Sequence, residues 1–163
     1  MHTDARTRLA ASQQELVRAL MRIGPAPAGF DAFRIQATAD VLLLKRTHEV
    51  ARAWPALAQS LGSGFDERFA DYARSRLNLH EAGPLADGRE FARALAGDGA
   101  LTDDAAIEAL AFDLRCRVDA RGVITLRSLS FGASILKQPR RLVVAVRLPV
   151  VGERWIKIPL KIL

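Results

Sequence analysis

Near residue 112 the apolar period of this chain changes from that of a helix to that of a strand. Before it, Leu9, Gln13, Leu16, Val17 and Leu20 recur three or four positions apart, the spacing that places side chains on one helical face. After it, Phe112, Leu114, Cys116 and Val118 alternate with Asp113, Arg115 and Arg117, the pattern of a strand with one buried face. The two periods are segregated along the chain, so the expected fold class is α+β: an N-terminal helical bundle followed by a small antiparallel β-sheet. We set a helical domain at 1–100 and a basic β-rich domain, packed against it, at 101–163.

Punctuation residues divide the helical part. A first helix over about Thr3–Ile23 is stopped by Gly24-Pro25-Ala26-Pro27-Ala28-Gly29, because proline lacks the next helical N–H and glycine frees the backbone. Asp31 is placed to cap a long second helix. Its apolar set, Ile35, Val41, Leu42, Leu44, Val50, Ala51 and Trp54, is broad enough to predict burial of most of it. Pro55 either kinks that helix or starts a short one to Leu61, and Gly62 and Gly64 break the chain. Phe65, Phe69 and Tyr72 share one face of a third helix, with Asp66-Glu67 at its positive end. A loop is expected over Asn78–Ala86, then a short helix capped by Asp87 and ended by Gly97-Asp98-Gly99. Thr102 or Asp103 can cap another over Ala105–Leu110.

In the strand-like third, Ala120-Arg121-Gly122 predicts a turn, and Val123–Phe131 a returning strand whose inward set shifts phase between Leu126 and Leu129, as at a bulge. Leu142–Leu148 is nearly all apolar and is expected as a central strand buried on both faces. A last strand follows the turn at Pro149–Glu153, with Ile156, Ile158, Leu160 and Ile162 inward and Lys157, Pro159 and Lys161 outward. Proline confines a strand to an edge, and outward lysines protect one.

Charge follows the same division. From Arg115 to Leu163 there are eleven basic residues and two acidic ones, Asp119 and Glu153, whereas the first 100 residues carry 13 basic and 12 acidic. Half of the residues are hydrophobic and about a quarter charged, which is globular composition rather than that of a disordered chain. The single cysteine, Cys116, excludes an internal disulfide and fits a reducing compartment. The start of the chain has no apolar run before a cleavage site, and runs such as Leu142–Val146 are too short to span a bilayer, so a cytoplasmic protein without membrane association is expected.

Catalytic chemistry has little to work with. His2, His48 and His80 have no second ligand at metal spacing, so no metal site is assigned. Cys116 alternates with inward apolar positions, where a thiol behaves as a small hydrophobe. Asp66-Glu67 and Asp103-Asp104 sit at helix starts, which the helix dipole already explains. Gly62-Ser63-Gly64 lacks the strand that precedes a phosphate-binding loop. The basic strands have three readings: solvated faces with edge protection, an edge that accepts an extended acidic peptide, or a phosphate-binding surface for nucleic acid. Stacking aromatics are scarce: the C-terminal third has only Phe112, Phe131 and Trp155, and the first two are assigned inward.

The string Leu9-Ala10-Ala11-Ser12-Gln13-Gln14-Glu15-Leu16-Val17-Arg18-Ala19-Leu20 resembles the opening helix of a bacterial helical domain long labelled "putative DNA-binding". The resemblance continues through Val50-Ala51-Arg52-Ala53-Trp54-Pro55-Ala56-Leu57, Leu61-Gly62, Phe65, Phe69, Tyr72-Ala73, Pro84, Asp87-Gly88 and Phe91-Ala92. That domain is found in partner proteins of multinuclear non-heme iron oxidases that modify cysteines of ribosomally made peptides, as in methanobactin- and bufferin-type pathways. The resemblance implies a noncatalytic accessory subunit with a β-rich part like a peptide-recognition element. Such a subunit forms a heterodimer with the oxidase and brings it the precursor peptide, and the iron belongs to the partner enzyme. This chain departs from the pattern in its short C-terminal part and in Lys45-Arg46, where many relatives carry an aromatic-arginine pair.

The expected function is therefore delivery of a precursor peptide to an iron oxidase, with no cofactor of this chain's own. Arg140, Arg141, Arg147, Arg154 and Lys157 would supply charge along the sheet edge and Trp155 an apolar anchor. The alternative is a DNA-binding or regulatory protein.

Overall fold

The computed structural model describes residues 2–22, 24–75, 83–119 and 121–160, with side chains from residue 5 onward. His80, Lys161 and Ile162 lie outside the described residues. Six α-helices precede five strands among them: α1 (His2–Leu20), α2 (Ala32–Ala53), α3 (Pro55–Leu61), α4 (Phe65–Ser75), α5 (Pro84–Gly97) and α6 (Asp103–Arg115). The strands are β1 (Cys116–Val118), β2 (Ile124–Leu126), β3 (Ser130–Lys137), β4 (Arg140–Leu148) and β5 (Gly152–Pro159). The α+β class is therefore observed.

The chain groups into two compact units that interleave in sequence, 1–48 with 66–79 and 49–65 with 80–163. In the first unit, Asp31 caps α2 by accepting from the Phe33 and Arg34 amides at 2.8 and 3.3 Å. Ala39, Thr47, Phe69 and Ala73 are buried, and the Phe69 and Tyr72 rings lie 6.0 Å apart. Thr47 fits there because its hydroxyl donates to the Leu43 carbonyl at 2.9 Å, one turn back. Burial of most of α2's apolar set is not observed: Val41, Leu42 and Leu44 are exposed. Its apolar residues run round the helix: Ala39, Thr47 and Val50 are buried, Ile35, Leu43 and Ala51 are half-buried, and the rest of the set on α2 faces out.

The second unit is organised by Trp54. Its ring is buried, tilts against Phe112 at a centroid distance of 5.1 Å, and donates from Nε1 to the Leu85 carbonyl at 3.1 Å. Gly88 lies over it so closely that a Cβ there would stand 2.1 Å from Trp54 Cδ1. Phe65 and Phe91 extend this core edge to face at 6.0 Å. Pro55 does begin a new helix, and no side chain of its own caps that start. Glu108 from α6 substitutes, accepting from the Ala56 and Leu57 amides at 3.1 and 2.8 Å.

Two expected boundaries move. The helix assigned to an Asp87 cap begins at Pro84, because proline at the first helical position surrenders a donor that has no intrahelical partner anyway. Asp87 is buried in the first turn instead. The strand expected from Phe112 is the end of α6, which runs to Arg115 under a Thr102 cap that accepts from the Ala105 amide. Phe112 and Leu114 fit both periods, and the helix wins because Ala105, Ala109, Leu110 and Leu114 also form a buried helical stripe.

The strands make two sheets: an antiparallel pair β1–β2, and the antiparallel meander β3–β4–β5. Asp119 shapes the first hairpin by accepting from the Arg121 and Val123 amides, with Gly122 at positive φ. The strand expected over Val123–Phe131 with a bulge is instead two strands in different sheets, β2 ending at Leu126 and β3 starting at Ser130, and Leu126 and Leu129 are both exposed. α6 covers one face of the meander, where Leu110, Leu114, Leu136, Val143 and Ala145 form a buried cluster joined by Ile107 and Trp155.

Candidate binding surface on the C-terminal sheet

The register decides where each side chain points. Val143 pairs with Lys157 and Ser134, and Ala145 with Trp155 and Gly132. Since directly opposite residues share a face, the helix side of the sheet holds Ser130, Gly132, Ser134, Leu136, Arg141, Val143, Ala145, Arg147, Glu153, Trp155 and Lys157. The opposite side holds Phe131, Ala133 and Ile135 of β3, Arg140, Leu142, Val144, Val146 and Leu148 of β4, and Arg154, Ile156 and Ile158 of β5.

That second side is open. Phe131 is 85% exposed, Ile135 59%, Ile156 60% and Ile158 44%. Three expectations are corrected here. Phe131 and the β5 isoleucines were read as inward and instead face out. β4 is central, as expected, but is covered on one face only. Trp155, expected as an apolar anchor for the peptide, is half-buried against the α6 cluster. Both phases of β5 carry apolar residues, so alternation could not choose between them.

The six residues expected to bind peptide are thus divided between faces. Arg140 and Arg154 stand on the open side, whereas Arg141, Arg147, Trp155 and Lys157 follow the helix side. Arg140, Arg141, Arg154 and Lys157 are exposed. Arg147 is engaged by Glu153 at 3.1 Å. The same carboxylate receives Arg115 in a fork, at 2.7 and 3.1 Å. The Arg115 hydrogen bonds hold the Glu153 carboxyl below the usual carboxylate range against the opposing effect of burial, and Glu153 in turn raises the Arg115 guanidinium. These groups line a cleft of about 710 Å³ with Arg127, Leu148 and Gly152. Among the described residues β5 has no strand paired to its outer edge.

A second carboxylate ties the other end of α6 to the sheet. Asp103 accepts from the Lys137 and Gln138 amides at 2.7 and 2.8 Å, and the Lys137 ammonium donates to the Gly99 and Leu101 carbonyls. One basic side chain of the C-terminal third is therefore occupied by structure.

A family model described as "SCO6045-like, C-terminal domain" matches residues 10–97. The chain belongs to this family. The SCO6045-like stretch ends with the last residue of α5, so α6 and all five strands lie beyond it. Within it fall Trp54, Pro55 and Gly88, whose roles are the ring-on-glycine packing and helix start described above. A UPF0276 protein of Streptomyces avermitilis is 39% identical over 69 residues, covering 42% of this chain and 14% of that protein. The chain thus matches only a small part of that relative's length. No solved structure matches it.

Among the described residues no group of three or more His, Cys, Asp or Glu side chains is placed to hold a metal ion. His48 is exposed on α2, and Cys116 is half-buried where α6 passes into β1. No helix among them is long and apolar enough to cross a membrane.

Sequence reasoning missed the open apolar face. A usable signal was present: β4 is apolar in both phases, and such a strand needs cover on both sides.

Proposed function

We propose that this chain is a noncatalytic accessory subunit that binds a ribosomally made precursor peptide in the cytoplasm. It delivers that peptide to a partner multinuclear non-heme iron oxidase for cysteine modification. The observation that carries the reading is the sheet β3–β4–β5. It combines an outer edge on β5 that no strand among the described residues pairs, exposed basic side chains at Arg140, Arg141, Arg154 and Lys157, and neighbouring apolar surface. An extended peptide gains main-chain hydrogen bonds at such an edge, and arginines favour acidic sequence beside it. The N-terminal resemblance to oxidase partner proteins supports the same reading.

The test is a tagged pull-down from the native host after nuclease treatment, with captured proteins identified by mass spectrometry. Recovery of an iron-dependent oxidase and a small cysteine-containing peptide is expected, and Arg140→Glu with Arg154→Glu should weaken capture of the peptide while the chain stays folded. Recovery of neither overturns the reading. The basic C-terminal third favours one other function, DNA binding or regulation. That reading requires affinity for generic duplex that falls steeply with salt.

A further inference from the structure

We infer that the open face of the sheet β3–β4–β5 is a docking surface for an amphipathic, acidic helix supplied by a partner protein. This goes beyond the edge-strand reading, because it concerns side chains on the broad face and not the main chain of β5. Phe131, Ile135, Leu142, Val144, Ile156 and Ile158 form one contiguous apolar surface by register. Large contiguous apolar surface on a soluble domain marks an interaction site.

The shape selects the occupant. β4 has nine residues, which at the rise of a strand spans about 30 Å, and three strands at their usual spacing are about 10 Å across. A single α-helix is about 10 Å wide and reaches 30 Å in about 20 residues. A helix therefore covers this face as α6 covers the other, completing a three-layer arrangement. A further strand would add at an edge and leave the face bare.

Charge selects the chemistry. Arg140 and Arg154 mark opposite ends of the face, and none of its positions is acidic. Arg154 donates to the Glu153 main-chain carbonyl at 3.2 Å, and among the described residues no side-chain carboxylate pairs with it. A second copy of this chain laid face to face would offer these arginines no acidic partner, because the same face of the copy has none. A helix with apolar residues at three- and four-residue spacing and Asp or Glu at its flanks meets both demands.

The test is selection from a displayed library of about 20-residue segments with a helical apolar period and randomised flanking positions, using the full chain as target. Enriched segments are expected to be net acidic. Their affinity should fall at least tenfold for the Phe131→Ser/Ile156→Ser double variant, and also for Arg140→Glu/Arg154→Glu. Both pairs are on exposed positions, and circular dichroism checks that each variant is folded. No enrichment, enrichment of neutral or basic segments, or equal binding to the serine variant overturns the inference. So does concentration-dependent dimerisation of the wild type that the serine variant abolishes, which would assign the face to a second copy. Loss of the iron-oxidase reading leaves the result unchanged, since the library contains neither oxidase nor precursor.

Discussion

The two faces of the three-stranded sheet are built on opposite plans. The face under α6 sets small residues, Ser130, Gly132, Ser134 and Ala145, among Leu136, Val143 and Trp155, and the gaps receive Leu110 and Leu114 of the helix. The approach is close: a Cβ at Gly132 would stand 2.6 Å from Leu110 Cδ1. Its polar groups are spent on the helix ends, with Ser130 donating to the Leu114 carbonyl at 2.5 Å. The open face has large side chains on all three strands and no such partner among the described residues. Small residues with polar ties describe a finished contact, and large apolar residues without a facing layer describe one that another molecule finishes.

The largest expected effect sets one face against the other by truncation. Leu114→Ala should cost about 3 kcal/mol, the usual loss for a fully buried leucine. Phe131→Ala removes a larger side chain yet should change stability by less than about 0.5 kcal/mol, because it sits in solvent. Urea unfolding of both variants measures this, and a Phe131 loss approaching that of Leu114 would mean that the open face is covered in the isolated chain. Addition of bulk gives the next contrast. Gly132→Val should destabilise by about 2 kcal/mol through overpacking against Leu110, whereas Ala133→Val, one residue along on the other face, should stay within about 0.5 kcal/mol.

Much of this fold was legible because local chemistry decided it. Asp31, Pro55 and Thr102 each act where their own side chain or ring dictates, and their helix starts follow. Glu108, Asp103 and Glu153 were not legible. Each acts on backbone or side chains far along the chain, as when Glu108 caps α3 more than 50 residues away. The division of the basic residues between faces failed for a different reason. It depends on the phase of β4 and β5, and strands that are apolar in both phases do not reveal which side a helix will choose. The proposed binding residues were thus assigned to β4 and β5 without any sign that they divide between the two faces of the sheet.

Smaller effects test whether the covered face is fastened as well as packed. Asp103→Ala removes the acceptor for the Lys137 and Gln138 amides and should cost about 1 kcal/mol, read as a lowered urea midpoint. An equal loss in Asp104→Ala, a neighbour also in the first turn, would mean that only the helix dipole is served.

The smallest effect is the most specific, because it depends on pH in a defined direction. Glu153 joins Arg115, the last residue of α6, to Arg147 of β4, and these hydrogen bonds depress its folded pKa. A carboxylate with a depressed folded pKa binds fewer protons folded than unfolded, so its contribution to stability is complete above the unfolded value of about 4.3. As pH falls below that value and through the folded pKa, the contribution is lost. Glu153→Gln should therefore be less stable than wild type by about 0.5 kcal/mol at pH 7, a modest value because Arg115 is largely exposed and solvent screens the pair. The difference should hold to about pH 5 and then shrink towards zero in more acidic solution. Urea midpoints of both proteins from pH 7 to pH 3 follow it. A gap that persists unchanged at pH 3 would show that Glu153 fastens the sheet by its shape and neutral hydrogen bonding, and that charge adds nothing to the covered face.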